Sequence, residues 1–199
     1  MSSTLTTDKY NTPDFLTLLK CRDESAMQEF MTAHLPQIFR AARGAGLNEQ
    51  NAEDVSQNTF ITFIEKIGEF EGRSNVRTWL FGILYHKISE TRRSSLREGQ
   101  SDDIDDIMES RFKTNGFWAS PPQDADKNTF NREIRVHLEE CLDGVTTEQR
   151  MAFLLREVEE MDSDEICQTM KLSRSNLGVV LFRGRNKLRE CLEHRSIKG

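Results

Sequence analysis

Apolar residues recur along most of this chain at intervals of three and four positions, the spacing that builds one apolar face on an α-helix. In the first half, the pattern predicts helices over residues 14–20, 24–42, 51–67 and 75–97. Pro36 lies inside the second helix and is expected to bend or divide it, because proline lacks a backbone N–H. No segment alternates as a half-buried strand would, so the pattern predicts an all-α protein.

The same pattern returns in the last third of the chain. It resumes near Asn128 and is expected to stop at Gly144. Three more helices are predicted over residues 148–161, 164–170 and 174 to about 194, with Thr147, Ser163 and Ser173 as their N-caps. A brief turn at residues 171–173 separates the last two. A short helix, a brief turn and a longer helix form the layout of a helix-turn-helix.

Between these halves, residues 98–126 lose the periodicity and are rich in aspartate, glycine and proline. This composition predicts a flexible linker with at most short helical pieces. We therefore expect two small helical domains, residues 1–97 and 128–199, joined by an acidic flexible linker over residues 98–127. The apolar share of 36% suits small domains with much surface.

The net charge of −6 taken alone argues against a nucleic-acid partner. Its distribution changes that conclusion. Residues 73–97 hold six basic residues and one acid, a net of +5, and residues 171–199 hold eight basic residues and two acids, a net of +6. Residues 98–126 hold eight acids and two basic residues, a net of −6. Local potential governs attraction to phosphates, so two basic surfaces separated by an acidic linker indicate nucleic-acid binding.

The last predicted helix has the chemistry of a DNA-reading helix. Leu177, Val180, Leu181 and Leu188 are expected to face inward. The outward positions are Arg174, Ser175, Asn176, Val179, Arg183 and Arg185. Arginine suits guanine edges and phosphates, and asparagine suits adenine. The alternative is an ordinary surface helix whose arginine stems lie along apolar surface.

The basic segment 73–97 combines its charge with aromatic residues (Trp79, Phe81 and Tyr85) and with His86. Stacking of an unpaired base on an aromatic ring contributes roughly 1–3 kcal/mol. This combination therefore predicts a surface that holds opened DNA. Trp79 itself falls on the apolar stripe and is expected to belong to the core.

Two longer runs carry a more specific signal. AEDVSQNTFITFIEKIGEFEGRSNVRTWLFGILYHKISETRR, residues 52–93, resembles region 2 of the extracytoplasmic-function (group IV) sigma factors of the sigma-70 family. TTEQRMAFLLREVEEMDSDEICQTMKLSRSNLGVVLFRGRNKLRECL, residues 146–192, resembles their region 4. The resemblance implies a sigma factor that binds core RNA polymerase through its clamp helices and flap, and that directs promoter-specific initiation. The lack of a signal peptide independently predicts a cytoplasmic protein. An anti-sigma factor is a further partner of many members of the family.

The resemblance also implies roles for particular residues. Exposed contacts to the polymerase clamp helices would be Asp54, Gln57, Asn58 and Phe60. The −10 element would be read by Phe70, Ser74, His86, Lys87, Arg92, Arg93 and Arg97. The −35 element would be read by Arg174, Ser175, Asn176, Val179, Phe182, Arg183 and Arg185.

Three positions depart from the common family pattern. His86 stands where many members place an asparagine that holds a flipped base. Gly178 and Val179 stand where some members carry longer polar side chains. These departures predict that the −10 and −35 base preferences differ from those members.

Two other classes of protein explain only part of the pattern. A helix-turn-helix regulator that is not a polymerase subunit would account for residues 147–192 but not for residues 54–97. An antagonist that binds polymerase without DNA would account for the helix at residues 54–67 but not for the basic last helix.

The sequence offers little support for a metal site, a bound cofactor or an enzymatic activity. His137 and Cys141 share a helix face, but zinc usually needs four close ligands, so Cys141 is expected to be buried and inert. The four cysteines are scattered without a CxxC pair, which argues against a disulfide framework. No phosphate loop or nucleophile motif is present, so we expect no cofactor and no catalysis. The chain shows neither a signal peptide nor an apolar run of membrane-spanning length.

Overall fold

The computed structural model describes residues 9–97 and 140–196, and within them the all-α prediction is confirmed. The helices are α1 (Pro13–Lys20), α2 (Glu24–Gly44), α3 (Glu49–Lys66), a 3-10 turn (Ile67–Glu69), α4 (Val76–Arg97), α5 (Thr147–Glu157), α6 (Ser163–Met170) and α7 (Arg174–Ser196). The predicted acidic linker and most of the helix expected before Gly144 lie outside the described residues.

Helix α2 continues through Pro36, so the expected division at this residue is wrong. A proline inside a helix removes one hydrogen bond and costs about 3 kcal/mol. Phe30 and Ile38, fully buried on either side of it, hold both halves of the helix against the core. Tertiary burial therefore outweighs the local cost.

Two of the predicted caps are displaced by one residue. Thr146 and Asp162, not Thr147 and Ser163, precede α5 and α6. Both form capping boxes, in which the side chain three residues later, Gln149 or Glu165, accepts a hydrogen bond from the cap's own N–H. Thr146 and Asp162 each have a glutamine or glutamate three residues later, whereas Thr147 and Ser163 do not. The cap predicted at Ser173 is confirmed, since its Oγ accepts from Asn176 N at 3.2 Å.

Aromatic rings fill the core of the first helical unit. The rings of Phe30 and Phe63 stack with centroids 4.8 Å apart. Trp79 packs against Phe63 at 5.5 Å, as expected for a core residue. His34 lies in the same core, with its Nδ1 2.8 Å from the Phe30 carbonyl oxygen. Burial lowers the pKa of His34 below its usual value.

The cores of the two helical units are continuous. Met151, Leu155 and Ile166 from the second unit belong to the same buried cluster as Phe81 and Leu84 from α4. Helix α4 packs along α6. The periodicity predicted the helices of each unit but not this joint core. Periodicity reports which residues are apolar, and not which partner they pack against.

A disulfide joins Cys141 to Cys191, with Cα atoms 5.7 Å apart. It lies in a second small cluster with Leu142, Val145 and Leu188. Cys141 is buried as expected, but the expectation that it is inert is wrong, because it pairs with Cys191. The chain between the two cysteines turns back on itself through three helices, which the sequence separation of 50 does not reveal.

Candidate nucleic-acid interface

The turn between α6 and α7 is built from local caps. Lys171 ends α6 in the left-handed backbone conformation, with φ at 56°. Helix α7 then begins directly after Ser173, whose side chain caps it. Leu177 and Leu181 are buried and attach α7 to the core. Gly184 lies where α7 approaches α5 closely, since a Cβ there would be 3.3 Å from Gln149 Cβ. The arrangement is a helix-turn-helix with one face of α7 turned outward.

That outward face carries every residue predicted to read the −35 element. The exposed residues are Arg174, Ser175, Asn176, Val179, Phe182, Arg183 and Arg185. Val179 and Phe182 give the face an apolar component of the kind that contacts thymine methyl groups. The geometry thus brings the seven predicted side chains together on one accessible surface.

The three arginines of this face have different surroundings. Arg174 forms two hydrogen bonds to Asp164, at 2.8 and 2.6 Å, and the bond to Asp164 raises the pKa of Arg174. Arg185 donates to Glu157 Oε1 at 2.6 Å. Within the described part of the chain, no carboxylate lies at ion-pair distance from Arg183. Arg183 is therefore the arginine with the lowest cost of turning toward DNA.

The residues predicted to read the −10 element are less uniformly accessible. His86 and Arg93 are exposed on α4, and Lys87 is half-buried. Ser74 is half-buried, and Phe70 is buried with its ring 5.1 Å from Trp79. The backbone of α4 reaches Arg97, whose side chain lies outside the described part. In this conformation, the accessible residues of the predicted −10 surface are thus His86 and Arg93, with Lys87 partly accessible.

Arg92 makes an intramolecular contact that its predicted DNA role did not anticipate. Its Nη2 donates to the Ala45 carbonyl oxygen at 2.6 Å, at the end of α2. Burial lowers the pKa of Arg92, and the neighbouring Arg150 lowers it further. A guanidinium at a helix C-terminus satisfies unpaired carbonyls and the local dipole. In this conformation, the Arg92 guanidinium is therefore engaged in an intramolecular contact at the end of α2.

The predicted polymerase-binding face of α3 is exposed at three of its four positions. Asp54, Gln57 and Asn58 are exposed. Phe60 is only 3% exposed and lies in the core, so its expected exposure is wrong. Its neighbour Ile61 is 53% exposed instead, three positions after Asn58 on the same helix face. Asp54, Asn58 and Ile61 follow one another at intervals of four and three residues, so helical spacing could have placed Ile61 on the same exposed face.

The described residues hold no group of three or more histidine, cysteine or carboxylate side chains arranged to bind a metal ion. His137 lies outside the described part of the chain. No helix there is long and apolar enough to cross a membrane.

Comparison with known protein families identifies both helical units. The family model of sigma-70 region 2 matches residues 30–98, and that of sigma-70 region 4 matches residues 135–188. A probable RNA polymerase sigma factor of Haemophilus influenzae is 32% identical over 148 residues, which cover 71% of this chain and 76% of the relative. The ECF RNA polymerase sigma factor SigX of Bacillus subtilis is 26% identical over 73% of each chain.

The chain belongs to the extracytoplasmic-function sigma factors of the sigma-70 family. The fold agrees with this assignment. The sigma factor RpoE, solved in complex with the anti-sigma factor NepR from Bartonella quintana, superposes with a TM-score of 0.62 at 22% identity. The match covers 83% of this sigma factor and 96% of that chain. Helices α2–α4 thus correspond to region 2, and α5–α7 to region 4.

Proposed function

We propose that this chain is an alternative sigma factor that binds core RNA polymerase in the cytoplasm and directs promoter-specific initiation without catalysing a reaction itself. The observation that carries the proposal is the outward face of α7, where all seven predicted −35 contacts are exposed on a helix-turn-helix within a sigma-70 region 4. The residues of this face match the hydrogen-bonding needs of the major groove.

Each region supplies one part of the mechanism. Asp54, Gln57, Asn58 and Ile61 on α3 would contact the polymerase clamp helices, with Ile61 as the apolar centre of a polar patch. The second region would contact the flap and place α7 on the −35 duplex. His86, Lys87 and Arg93 on α4 would hold the −10 bases and backbone as the strands separate.

Joining the two DNA-binding regions in one polymerase complex makes the second DNA contact intramolecular, which raises the overall affinity without new contacts. Capture of unpaired −10 bases offsets the few kcal/mol that extruding a base costs. An anti-sigma factor is a proposed further partner, since RpoE was solved in complex with one. No cofactor is required by this mechanism.

The direct test combines the purified chain, core RNA polymerase and a library of genomic fragments, followed by sequencing of RNA 5′ ends. We expect transcripts that start at fixed positions downstream of one shared pair of sequence elements. Stimulation without binding to core polymerase would favour a helix-turn-helix regulator. Core binding without initiation would favour an antagonist.

Arg183→Ala is expected to weaken −35 recognition by roughly tenfold, the loss of about 1–3 kcal/mol that accompanies removal of one base-contacting side chain. Holoenzyme affinity for a promoter found in the library experiment measures the effect, and binding to core polymerase should stay unchanged. Arg189→Ala, on the same helix about one turn beyond Arg185, is the matched control. Loss of core binding in the Arg183 variant would contradict the assignment of α7 to DNA.

A further inference from the structure

The Cys141–Cys191 disulfide lies at the edge of region 4, in a cluster separate from the joint core. The buried apolar residues beside it are Leu142, Val145 and Leu188. The buried residues nearer the start of α7, Leu177 and Leu181, belong to the joint core instead. The last turns of α7 are therefore attached to the rest of region 4 by a small apolar cluster and one covalent bond.

The disulfide also fixes the entry into α5. It holds the segment directly before Thr146, whose side chain caps α5. Within this segment, Asp143 Oδ1 accepts a hydrogen bond from Arg150 Nη1 of α5 at 2.8 Å. Helix α5 packs along α7. A bond that joins the start of one helix to the last turns of the other therefore sets their relative position.

The two cysteines of the disulfide differ in their access to solvent. Cys141 is 2% exposed, whereas Cys191 is partly exposed. Lys187 lies one turn before Cys191 on the same helix, and a nearby cation favours the thiolate, which is the reactive form of cysteine. Thiols that sense oxidants are accessible and have a second thiol close by. Cys191 therefore fits the thiol that reacts first, and Cys141 fits the thiol that resolves the product.

The pairing is selective among the cysteines of the chain. Cys21 and Cys167 remain free thiols in the described part. The proposed cytoplasmic location supplies glutathione and thioredoxin, which keep cysteine thiols reduced. Outside hyperthermophiles, disulfides in that compartment are usually transient and serve catalysis or redox sensing. The disulfide is thus one of two states of this pair, and the dithiol is the other.

We propose that Cys141 and Cys191 form a reversible oxidation site for hydroperoxides, and that the disulfide state strengthens binding to the −35 element by fixing α5 against α7. The proposed −35 face lies on the same helix as Cys191, with Arg185 less than two turns before it. Reduction leaves the last turns of α7 attached by the small apolar cluster alone. The effect on DNA rests on the proposed function, whereas the oxidation site does not.

The oxidation consumes one hydroperoxide molecule per disulfide. The Cys191 thiolate attacks the terminal peroxide oxygen, so that an S–O bond forms, the O–O bond breaks and an alcohol (water, for hydrogen peroxide) leaves with a proton. The Cys141 thiol then attacks the sulfenic sulfur, and hydroxide leaves as water with the Cys141 proton. The two electrons that the sulfur atoms lose reduce the peroxide. A dithiol reverses the change by thiol–disulfide exchange at Cys191.

The first test asks whether the pair is an oxidation site. The variant Cys21→Ser, Cys167→Ser retains only Cys141 and Cys191. It is reduced, freed of reductant and treated with hydrogen peroxide. Mass spectrometry should show that both thiols are lost and that the two cysteine peptides are linked. Dithiothreitol should restore both thiols. Thiols that persist, or that oxidise without forming the link, would overturn the proposal.

Single variants in the same background test the order of reaction. With Cys141→Ser, peroxide should give a sulfenic acid at Cys191, which a dimedone probe traps. With Cys191→Ser, the buried Cys141 thiol should react at least about tenfold more slowly, because peroxide reaches it poorly. Circular dichroism establishes that each variant is folded. Equal rates in the two folded variants would contradict the assignment of Cys191 as the attacking thiol.

The second test measures the effect on DNA. The oxidised and reduced chains are freed of peroxide and reductant before core polymerase is added, so that the polymerase itself is not altered. The holoenzyme with the oxidised chain should bind a promoter from the library experiment about fivefold more tightly. That is the difference expected if about one fifth of the reduced molecules keep the competent arrangement. The same promoter with a scrambled −35 element should show equal affinity for both states.

The variant Cys141→Ser, Cys191→Ser should bind like the reduced chain after either treatment, and Cys21→Ser, Cys167→Ser should keep the full response. Equal affinity of the two redox states for the intact promoter would overturn the link to DNA, as would a response that persists on the scrambled element. If neither state initiates with core polymerase, the proposed function fails. The thiol measurements then still decide whether Cys141 and Cys191 form an oxidation site.

Discussion

Phe63→Ala is expected to lower the free energy of unfolding by about 3–5 kcal/mol, the usual cost of removing a buried phenylalanine ring. Phe63 is fully buried. Its ring stacks on Phe30 and packs against Trp79, so its removal leaves a cavity between α2, α3 and α4. Urea denaturation monitored by far-ultraviolet circular dichroism measures the change as a lower midpoint at constant slope.

Ile61→Ala, two residues earlier on the same helix, is the matched control. Ile61 is largely exposed, so its stability change should stay within about 0.5 kcal/mol. The same variant should weaken binding to core polymerase, because it removes the apolar centre of the proposed interface. A large loss of stability at Ile61 would contradict the orientation of α3. Unchanged polymerase affinity would contradict the role of Ile61.

Reduction of the Cys141–Cys191 disulfide is expected to lower the free energy of unfolding by about 4 kcal/mol, because the unfolded chain regains the entropy of an open loop. The loop spans 50 positions and includes α6, the turn and α7 as far as Cys191. The disulfide joins the segment before α5 to the last turns of α7. The bond should therefore stabilise the helix that carries the −35 face. Thermal unfolding with and without a phosphine reductant measures the effect.

The double variant Cys141→Ser, Cys191→Ser should unfold at a lower temperature than the oxidised wild type and should not respond to the reductant. The variant Cys21→Ser, Cys167→Ser alters the two cysteines outside the disulfide and should keep the full response. A response that survives the first variant, or disappears in the second, would assign the effect to other thiols. Counting free thiols by mass spectrometry verifies the pairing in each sample.

The spacing of apolar residues indicated the buried side of a helix wherever that helix could be considered by itself. The spacing of Leu177, Leu181 and Leu188 predicts the buried side of α7, and therefore its polar side. The spacing failed at Phe60 and Ile61, which are adjacent and both apolar. A turn of about 100° per residue separates them, and only contact with the neighbouring helices determines which one is buried.

The sequence by itself determined the helices, the turn before α7, the basic character of residues 73–97 and 171–199 and the family resemblance, because each of these depends on residues close together in the chain. Tertiary structure alone decided the pairing of Cys141 with Cys191 and the positions of Glu159 and Glu165 against the start of α4. These contacts join residues 50 to 90 positions apart. Local propensity contains no information on such partners, since their proximity follows from how whole helices pack.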